Sequence, residues 1–261
     1  MKKKNVYTNK SSLIVYMLLR GLVIVTAIRA IFRRDYESLW LCLLTLSLFV
    51  LPVIVEKRLK VELPSTMEII ILCFIFAAEI LGEIHSFYVR VPHWDTILHT
   101  LNGFNCAAIG FALVDMLNRS EQFSIRLSPL FLAIVAFCFS MTVGVLWEFF
   151  EYSADTIFTK DMQKDAVVDH FASVTLDETH QNIPVVVSDI SDVIVVHGDG
   201  SQQTLNVGGY LDIGIHDTMK DLFVNLIGAV VFSIIGFFYV KKRGEGKFAS
   251  KFIPKVKTEN S

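Results

Sequence analysis

The chain has 261 residues, of which 53% are hydrophobic and 19% charged, and its formal net charge is −2. This composition is typical of a polytopic membrane protein and excludes an ordinary soluble domain. The sequence contains no feature that indicates nucleic-acid binding.

Six segments are long and apolar enough to cross a bilayer, which takes about 20 residues. They are 12–32, 38–55, 66–84, 95–117, 129–152 and 218–240. Ser65 with Glu68 predicts a capping box at the start of the third span, and Ser128 before Pro129 predicts the start of the fifth. The sequence therefore predicts an all-α membrane protein, a six-transmembrane-helix bundle.

Lysine and arginine flank these spans unequally, and their excess marks the cytoplasmic side. The basic flanks hold Lys2, Lys3, Lys4, Lys10, Lys57, Arg58, Lys60, Arg119, Arg126, Lys241, Lys242, Arg243, Lys247, Lys251, Lys255 and Lys257. The opposite flanks hold only Arg33, Arg34, Arg90, Lys160, Lys164 and Lys220. We therefore expect a multi-pass membrane protein, surrounded by membrane lipids, with the N and C termini in the cytoplasm.

The expected organisation places spans one to five in residues 1–159 and an extracytoplasmic loop in 160–216. The sixth span follows in 217–240, and a basic cytoplasmic tail in 241–261. Within the loop, 183–187, 192–197 and 203–207 have strand composition, and Gly198 to Ser201 form a turn sequence. The prediction is a small β-rich loop with a β-hairpin, and the alternative is a solvated loop.

The stretch from Val91 to Phe104 begins as a polar loop and enters the fourth span with its polar residues retained. Asp95 and His99 are four residues apart, so a helix places both on one face, and His93 precedes them. A helix cap would explain Asp95 but not His99, which lies one turn deeper. Because an ionisable residue inside an apolar span is costly, this face predicts a partner or a function.

A second polar face lies at the outer end of the fifth span. Glu148, Glu151 and Asp155 share one helical face by steps of three and four residues. Carboxylates at a helix C-terminus oppose the macrodipole, which favours a site over a solvated acidic helix end.

The start of the sixth span carries a third polar face. Asp217, Asp221 and Asn225 follow at i, i+4 and i+8, so the stripe extends about 12 Å into the bilayer. Asp217 alone could serve as a cap, but Asp221 and Asn225 lie too deep, so we expect the stripe to face protein. Gly228 below it predicts the close approach of another helix.

Glu79 and Glu83 add an i+4 pair in the third span, so four helices are expected to bring polar groups to a common depth. Carboxylates and imidazoles suit a divalent metal ion, a proton relay or general acid–base catalysis. A hydrogen-bond network that only fixes helix packing is the alternative. The predicted metal ligands are Asp95, His99, Glu148, Glu151, Asp217 and Asp221, and the further polar members are Glu79, Glu83, His93 and Asn225.

The leading functional hypothesis is an outer-leaflet site that binds a divalent cation or a polar lipid headgroup. In an enzyme, Glu148 or Asp221 would be the general base, and His99 would orient the substrate or serve as a ligand. Lipid-linked phosphate or sugar precursors would be its substrates. Two alternatives stay open: a small transporter or proton-coupled carrier, and a structural or regulatory protein that acts through its outer loop. No HExxH, GxSxG, P-loop or nucleotide-binding motif decides whether the protein is an enzyme.

Three motifs resemble the YjdF-like family of bacterial integral membrane proteins, whose function is unknown. They are Asp95-x3-His99 with Gly103, Trp147-Glu148-x2-Glu151, and Asp217-x2-Lys220-Asp221-Leu222-Phe223 followed by Gly228-Ala229. The resemblance covers spans three to six and implies a membrane location and a site built from the three motifs, without an activity. A fainter similarity is to VanZ-like proteins, which also combine an outer Asp-x3-His helix start, a glutamate and a later Asp-Asn-Gly helix.

Overall fold

The computed structural model describes residues 10–59, 61–119, 127–242, 249–252 and 255–256, and these residues are mostly helical. Their α-helices are α1 (Lys10–Arg33), α2 (Tyr36–Leu48), α3 (Leu51–Leu59), α4 (Ser65–Phe76), α5 (Phe87–Arg90), α6 (Trp94–Arg119), α7 (Pro129–Phe158) and α8 (Ile215–Lys241). A π-helix, Ala77–Ile84, continues α4 without a break.

Five helical segments of the described chain are long and apolar enough to cross a membrane. They are Lys10–Arg33, Tyr36–Arg58, Trp94–Asp115, Pro129–Phe158 and Ile215–Lys241. These segments correspond to five of the six predicted spans. The remaining predicted span, 66–84, is helical throughout, but its α-helical part has only 12 residues before the π-helix begins.

Local capping chemistry sets the start of α7 but not that of α4. The hydroxyl of Ser128 accepts a hydrogen bond from the N–H of Phe131 at 3.2 Å, as the sequence predicts. The predicted capping box at Ser65 is wrong, because Pro64 occupies the cap position and makes no side-chain hydrogen bond there. The carbonyl of Pro64 accepts a hydrogen bond from the N–H of Glu68, so the helix starts one residue earlier than the predicted capping box would place it.

The chain divides into two compact units, and the first contains Met1–Val145 and Asp221–Ser261. Two apolar clusters fill it: one joins α1, α2 and α4, and the other joins α4, α6, α7 and α8. Their central residues are Tyr16, Val23, Phe49 and Leu72 in the first cluster, and Phe111, Leu132, Ala136 and Phe232 in the second.

The last described residues of the chain return to the connection between α3 and α4. Strand β8 (Lys255–Val256) pairs antiparallel with β1 (Val61–Glu62), so that Val61 lies opposite Val256. Just before β8, Phe252 is buried, and its ring centre lies 5.2 Å from that of Phe104. Segments from distant parts of the sequence therefore form one ladder at this end of the first unit.

The second unit, Leu146–Lys220, contains three two-stranded antiparallel sheets. The predicted hairpin is present, because the second and third of the predicted strands pair across the turn sequence. The other two sheets pair more distant segments, which local sequence patterns do not reveal. The pairs are β5 (Ile194–Val196) with β6 (Gln202–Thr204), β2 (Val167–Val168) with β7 (Tyr210–Leu211), and β3 (Phe171–Ser173) with β4 (Val185–Val187).

In this second unit, Ala154 is the one buried hydrophobic residue. Aspartate side chains stabilise its loops instead. Asp177, Asp192 and Asp212 each accept hydrogen bonds from three backbone N–H groups. Such bonds satisfy the backbone groups that short strands leave unpaired. The fold of this unit therefore depends more on hydrogen bonds to carboxylates than on the burial of apolar side chains.

At Asp177 and Asp212, these hydrogen bonds favour the charged form of the carboxylate. The hydroxyl of Thr179, followed by the N–H of Ile183, lowers the pKa of Asp177 from 3.8 to about 2. At Asp212, burial raises the pKa, but its backbone hydrogen bonds outweigh burial and the pKa is lowered. Because the folded-state pKa is below the unfolded value, this stabilisation is present above about pH 4 and is lost as the pH falls towards 2.

We expect Asp177→Asn to loosen the turn at residues 179–183 above about pH 4, and to differ little from the wild type near pH 2. Hydrogen exchange of these amides, corrected for intrinsic exchange rates, measures the effect. Asp189→Asn is the matched control, because the side chain of Asp189 accepts none of these bonds and asparagine tolerates its positive φ of 57°. Equal protection of the wild type and Asp177→Asn at pH 6 would contradict the role given to this carboxylate.

Candidate functional site

Helices α6 and α8 approach each other so closely that their backbones meet at two glycines. A Cβ atom on Gly103 would lie 2.1 Å from the carbonyl oxygen of Asn225, and one on Gly228 would lie 2.1 Å from the carbonyl oxygen of Thr100. Real Cβ contacts are essentially never below 3.0 Å, so neither position has room for a side chain. The predicted helix approach at Gly228 is confirmed, and Gly103 is its counterpart on α6.

One turn before this contact on each helix, three ionisable side chains come together. The Nε2 atom of His99 lies 3.4 Å from Oδ1 of Asp95 and 3.8 Å from Oδ2 of Asp221. One ligand atom from each of the three residues lies within 4.8 Å of the other two. Within the described part of the chain, they are the only three His, Cys, Asp or Glu side chains grouped closely enough to hold one ion.

The exposure of this cluster falls steadily from α6 to α8. The side chain of Asp95 is 29% exposed, that of His99 12% and that of Asp221 2%. A ligand would therefore meet Asp95 first and Asp221 last. The predicted burial of the sixth-span stripe is confirmed, because Asp221 and Asn225 are both only 1% exposed as whole residues.

Two separations within the cluster can be compared with those of ligands around a small cation. In a tetrahedral zinc site with bonds of about 2.0–2.1 Å, neighbouring ligand atoms are about 3.3–3.4 Å apart. The distance between His99 and Asp95 agrees with this value, and that between His99 and Asp221 is a few tenths of an ångström longer. One imidazole and two carboxylates suit zinc better than magnesium, which prefers oxygen ligands. The residues present therefore fit a zinc-type ion.

A layer of neutral polar groups lies one turn deeper and fixes Asn225. Its amide nitrogen lies 3.5 Å from the carbonyl oxygen of Ser140 on α7, and its amide oxygen lies 3.4 Å from the amide nitrogen of Asn102. The hydroxyl of Ser140 donates in turn to the carbonyl of Gly103 at 2.7 Å. A Cβ atom on Gly144 would lie 2.7 Å from the amide nitrogen of Asn225, so that position must also stay small.

Asp217, Glu148 and Glu151 belong to the second unit and are not members of the three-residue group. Asp217 is not the cap of α8, which begins at Ile215; its carboxylate accepts the backbone N–H of Lys164 at 3.0 Å. Glu148 and Glu151 are both buried, and Glu151 accepts the indole N–H of Trp147 at 2.8 Å. A metal-binding role for these three residues remains a prediction.

Glu79, Glu83 and His93 also lie outside the three-residue group. Both glutamates are on the π-helix, where Glu79 is half-buried and Glu83 exposed. The charge of Glu83 acts on Glu79, so the two carboxylates remain close to each other on this helix, as their i+4 spacing predicts. His93 is exposed at φ 62°, and its carbonyl accepts the N–H of Ile97, so it positions the start of α6.

Ser140 and Gly144, which contact Asn225, are absent from the predicted site. The signal is present, because the two small residues are four positions apart in an apolar helix, a spacing that often marks a helix contact in membranes. Asn102 is recognisable as the deeper end of the Asp95 and His99 stripe, but its partner is not.

Apolar helices of membrane-spanning length, two of which bring three ionisable side chains together, are typical of a polytopic membrane protein. Residues 14–242 match the family described as "Predicted membrane protein (DUF2238)", and the chain belongs to this family. That description names a membrane location and no activity.

One curated relative is an uncharacterized protein from Thermotoga maritima, 26% identical over 106 residues. The match covers 41% of this chain and 53% of the relative, so the chain spans about half the length of that protein. No solved structure matches the chain significantly.

We expect Gly103→Ala to destabilise the protein, because the added methyl group meets backbone atoms that cannot rotate away. Overpacking of this kind costs about 1–3 kcal/mol, and the apparent melting temperature in detergent reports it. Gly21→Ala is the matched control, because a Cβ atom at Gly21 in α1 has no neighbour within 4 Å. The control should be as stable as the wild type or more stable, since alanine is the better helix former. Equal melting temperatures for both variants would contradict the backbone contact.

Proposed function

We propose that Asp95, His99 and Asp221 bind a divalent transition-metal ion, with zinc as the best chemical match. The observation that carries this proposal is the convergence of their three ligand atoms, from two helices, within 4.8 Å. With three protein ligands, a tetrahedral ion keeps a fourth position for water or for an oxygen of a substrate.

The charge of the cluster supports a cation. Asp95 and Asp221 place two carboxylates beside one imidazole in a helix pair, where buried charges need oppositely charged neighbours. A divalent ion would supply charge of the opposite sign to both carboxylates.

The exposure gradient favours a substrate that arrives beside Asp95, and a lipid-linked phosphate or sugar precursor is the substrate class that we propose. The candidate general bases are Glu148 and Asp221, and His99 would orient the substrate or serve as a ligand. The YjdF-like and VanZ-like resemblances leave the reaction open.

The packing below the cluster argues against the carrier alternative. A carrier needs polar groups that continue through the membrane, and beyond Asn225 the buried polar residues Asn105, Asp115 and Ser233 are few and are interrupted by aromatic rings. Phe104 and Phe111 pack edge-to-face against Phe232, with ring centres 5.1 Å and 6.0 Å apart. A site open to one side agrees better with this apolar layer. The alternative of a protein that acts through its outer loop predicts that deletion of the loop abolishes function while Glu148→Gln is harmless.

Metal analysis of the purified protein tests the proposal. We expect about one zinc ion per wild-type chain. The zinc affinity should be at least about ten-fold weaker in His99→Asn and in Asp221→Asn. His170→Asn is the matched control, because that histidine is exposed in the second unit. Circular dichroism verifies that each variant is folded. A folded wild type that binds no metal at micromolar concentration, or unchanged binding in Asp221→Asn, would refute the metal site.

We also propose that residues 65–84 form a sixth span, so that both termini lie in the cytoplasm of a bacterium. The pairing of β1 with β8 supports this topology, since paired strands lie on the same side of the membrane. Between them the chain must therefore cross an even number of times. Helices α6, α7 and α8 are three of the candidate spans, and the segment from Ser65 to Ile84 supplies the fourth crossing.

Labelling of single cysteines with an impermeant maleimide tests this topology, after Cys42, Cys73, Cys106 and Cys138 are replaced by alanine. We expect Glu62→Cys and Lys251→Cys to react from the same side and Ser191→Cys from the opposite side. All three positions are exposed. If Glu62→Cys and Lys251→Cys react from opposite sides, the segment 65–84 does not cross the membrane.

A further inference from the structure

The second unit has a strongly one-sided charge. Between Lys164 and Lys220 the chain contains no lysine or arginine, whereas the same stretch contains nine carboxylates. They are Asp165, Asp169, Asp177, Glu178, Asp189, Asp192, Asp199, Asp212 and Asp217. Such a distribution creates a negative potential, which attracts a cationic partner and speeds its association.

These carboxylates do not converge on a small ion. Asp177, Asp192 and Asp212 already accept three backbone N–H groups each. Among the described residues of this unit, no three His, Cys, Asp or Glu side chains lie close enough together to hold one metal ion. The negative charge is therefore spread over the surface, which suits an extended cationic molecule better than a metal ion.

The hairpin of β5 and β6 has an unpaired backbone edge within this acidic surface. The N–H of Leu205 donates to the carbonyl of Val193 at 3.0 Å, and the N–H of His197 donates to the carbonyl of Ser201 at 2.8 Å. In an antiparallel ladder, bonded residues alternate with residues whose backbone groups point away from the partner strand. The N–H and C=O groups of Ile194 and Val196 therefore point outwards, where β5 has no other strand as a neighbour in the described chain.

This edge lacks the usual protection against strand pairing. Exposed edges are commonly blocked by lysine or proline, and β5 contains neither. The side chains of Ile194 and Val196 lie on one face of the strand and are 59% and 63% exposed. A two-stranded hairpin is at best marginally stable in water, and a third strand adds stability. An added strand would bond the outward backbone groups and cover both side chains.

We propose that the edge of β5 binds an extended, cationic segment of another protein, which adds a third strand to the hairpin. Backbone hydrogen bonds to Ile194 and Val196 supply the affinity, and apolar side chains at alternate positions of the segment cover these two residues. Lysine or arginine at the other positions complements the carboxylates of the unit.

Other occupants fit this edge less well. A second copy of the chain would bring the same negative charge to the contact, and an anionic membrane surface would be repelled for the same reason. The inference does not depend on the metal site, because the two share no residue.

Fluorescence anisotropy of a short labelled peptide of alternating lysine and valine, added to the purified full-length protein, tests the proposal. We expect saturable binding that weakens with salt and is at least about ten-fold tighter than that of the matching glutamate–valine peptide. N-methylation of the peptide backbone should abolish binding, because it removes the donors that an added strand needs. Hydrogen exchange at the amides of Ile194 and Val196 should slow in the complex.

Variants of the edge complete the test. Ile194→Lys and Val196→Lys should each weaken binding by at least about ten-fold, because a lysine on the edge repels a cationic strand. Val186→Lys is the matched control, since it makes the same change of charge at a valine of β4 that is 64% exposed. Circular dichroism verifies that the three variants are folded.

Equal binding of the two peptides, unchanged exchange at Ile194 and Val196, or an equal loss in Val186→Lys would overturn the proposal. Two further outcomes would also overturn it: a dimer that dissociates in Ile194→Lys, and protection of the same amides by anionic lipid alone. In these cases the edge would bind a second copy of the chain or the membrane.

Discussion

The contact between the backbones of α6 and α8 is the constraint on which the site depends. Apolar side chains give helices little reason to associate in lipid, so close packing and hydrogen bonds must hold them together. Gly103 and Gly228 each leave the space that the other helix's backbone fills. This proximity allows a histidine on one helix to reach an aspartate on the other. Any larger residue at either glycine would separate the helices and the ionisable groups with them.

Polar groups inside the helix pair are arranged in layers of decreasing charge. The ionisable cluster lies nearest the helix starts. The neutral amides of Asn102 and Asn225 form the next layer, and aromatic rings packed edge-to-face form the last. Each layer needs less compensation than the one before it, which is how a polar site is accommodated in an apolar medium. The order also makes the site accessible from one side.

Periodicity in the sequence predicts which residues share a helical face, but not which face of another helix they meet. The stripe of Asp221 and Asn225 was therefore predictable, whereas the hydrogen bond from Asn225 to the carbonyl of Ser140 was not. The proximity of Glu79 and Glu83 was also predictable, whereas the π-helix that carries them was not, because it depends on tertiary packing. In the second unit, only the hairpin is local enough to predict. Its other sheets join strands of two or three residues through distant pairing.

The ladder between β1 and β8 has a consequence for biogenesis. The ribosome makes Glu62 about 190 residues before Lys255, so β1 is synthesised without its partner and stays unpaired while the candidate spans α6, α7 and α8 are made. Insertion can proceed helix by helix, but the packing of Phe252 against Phe104 must wait until synthesis of this segment is complete. A nascent chain stalled after α8 would contain every helix of membrane-spanning length that the structure describes and still lack this closure.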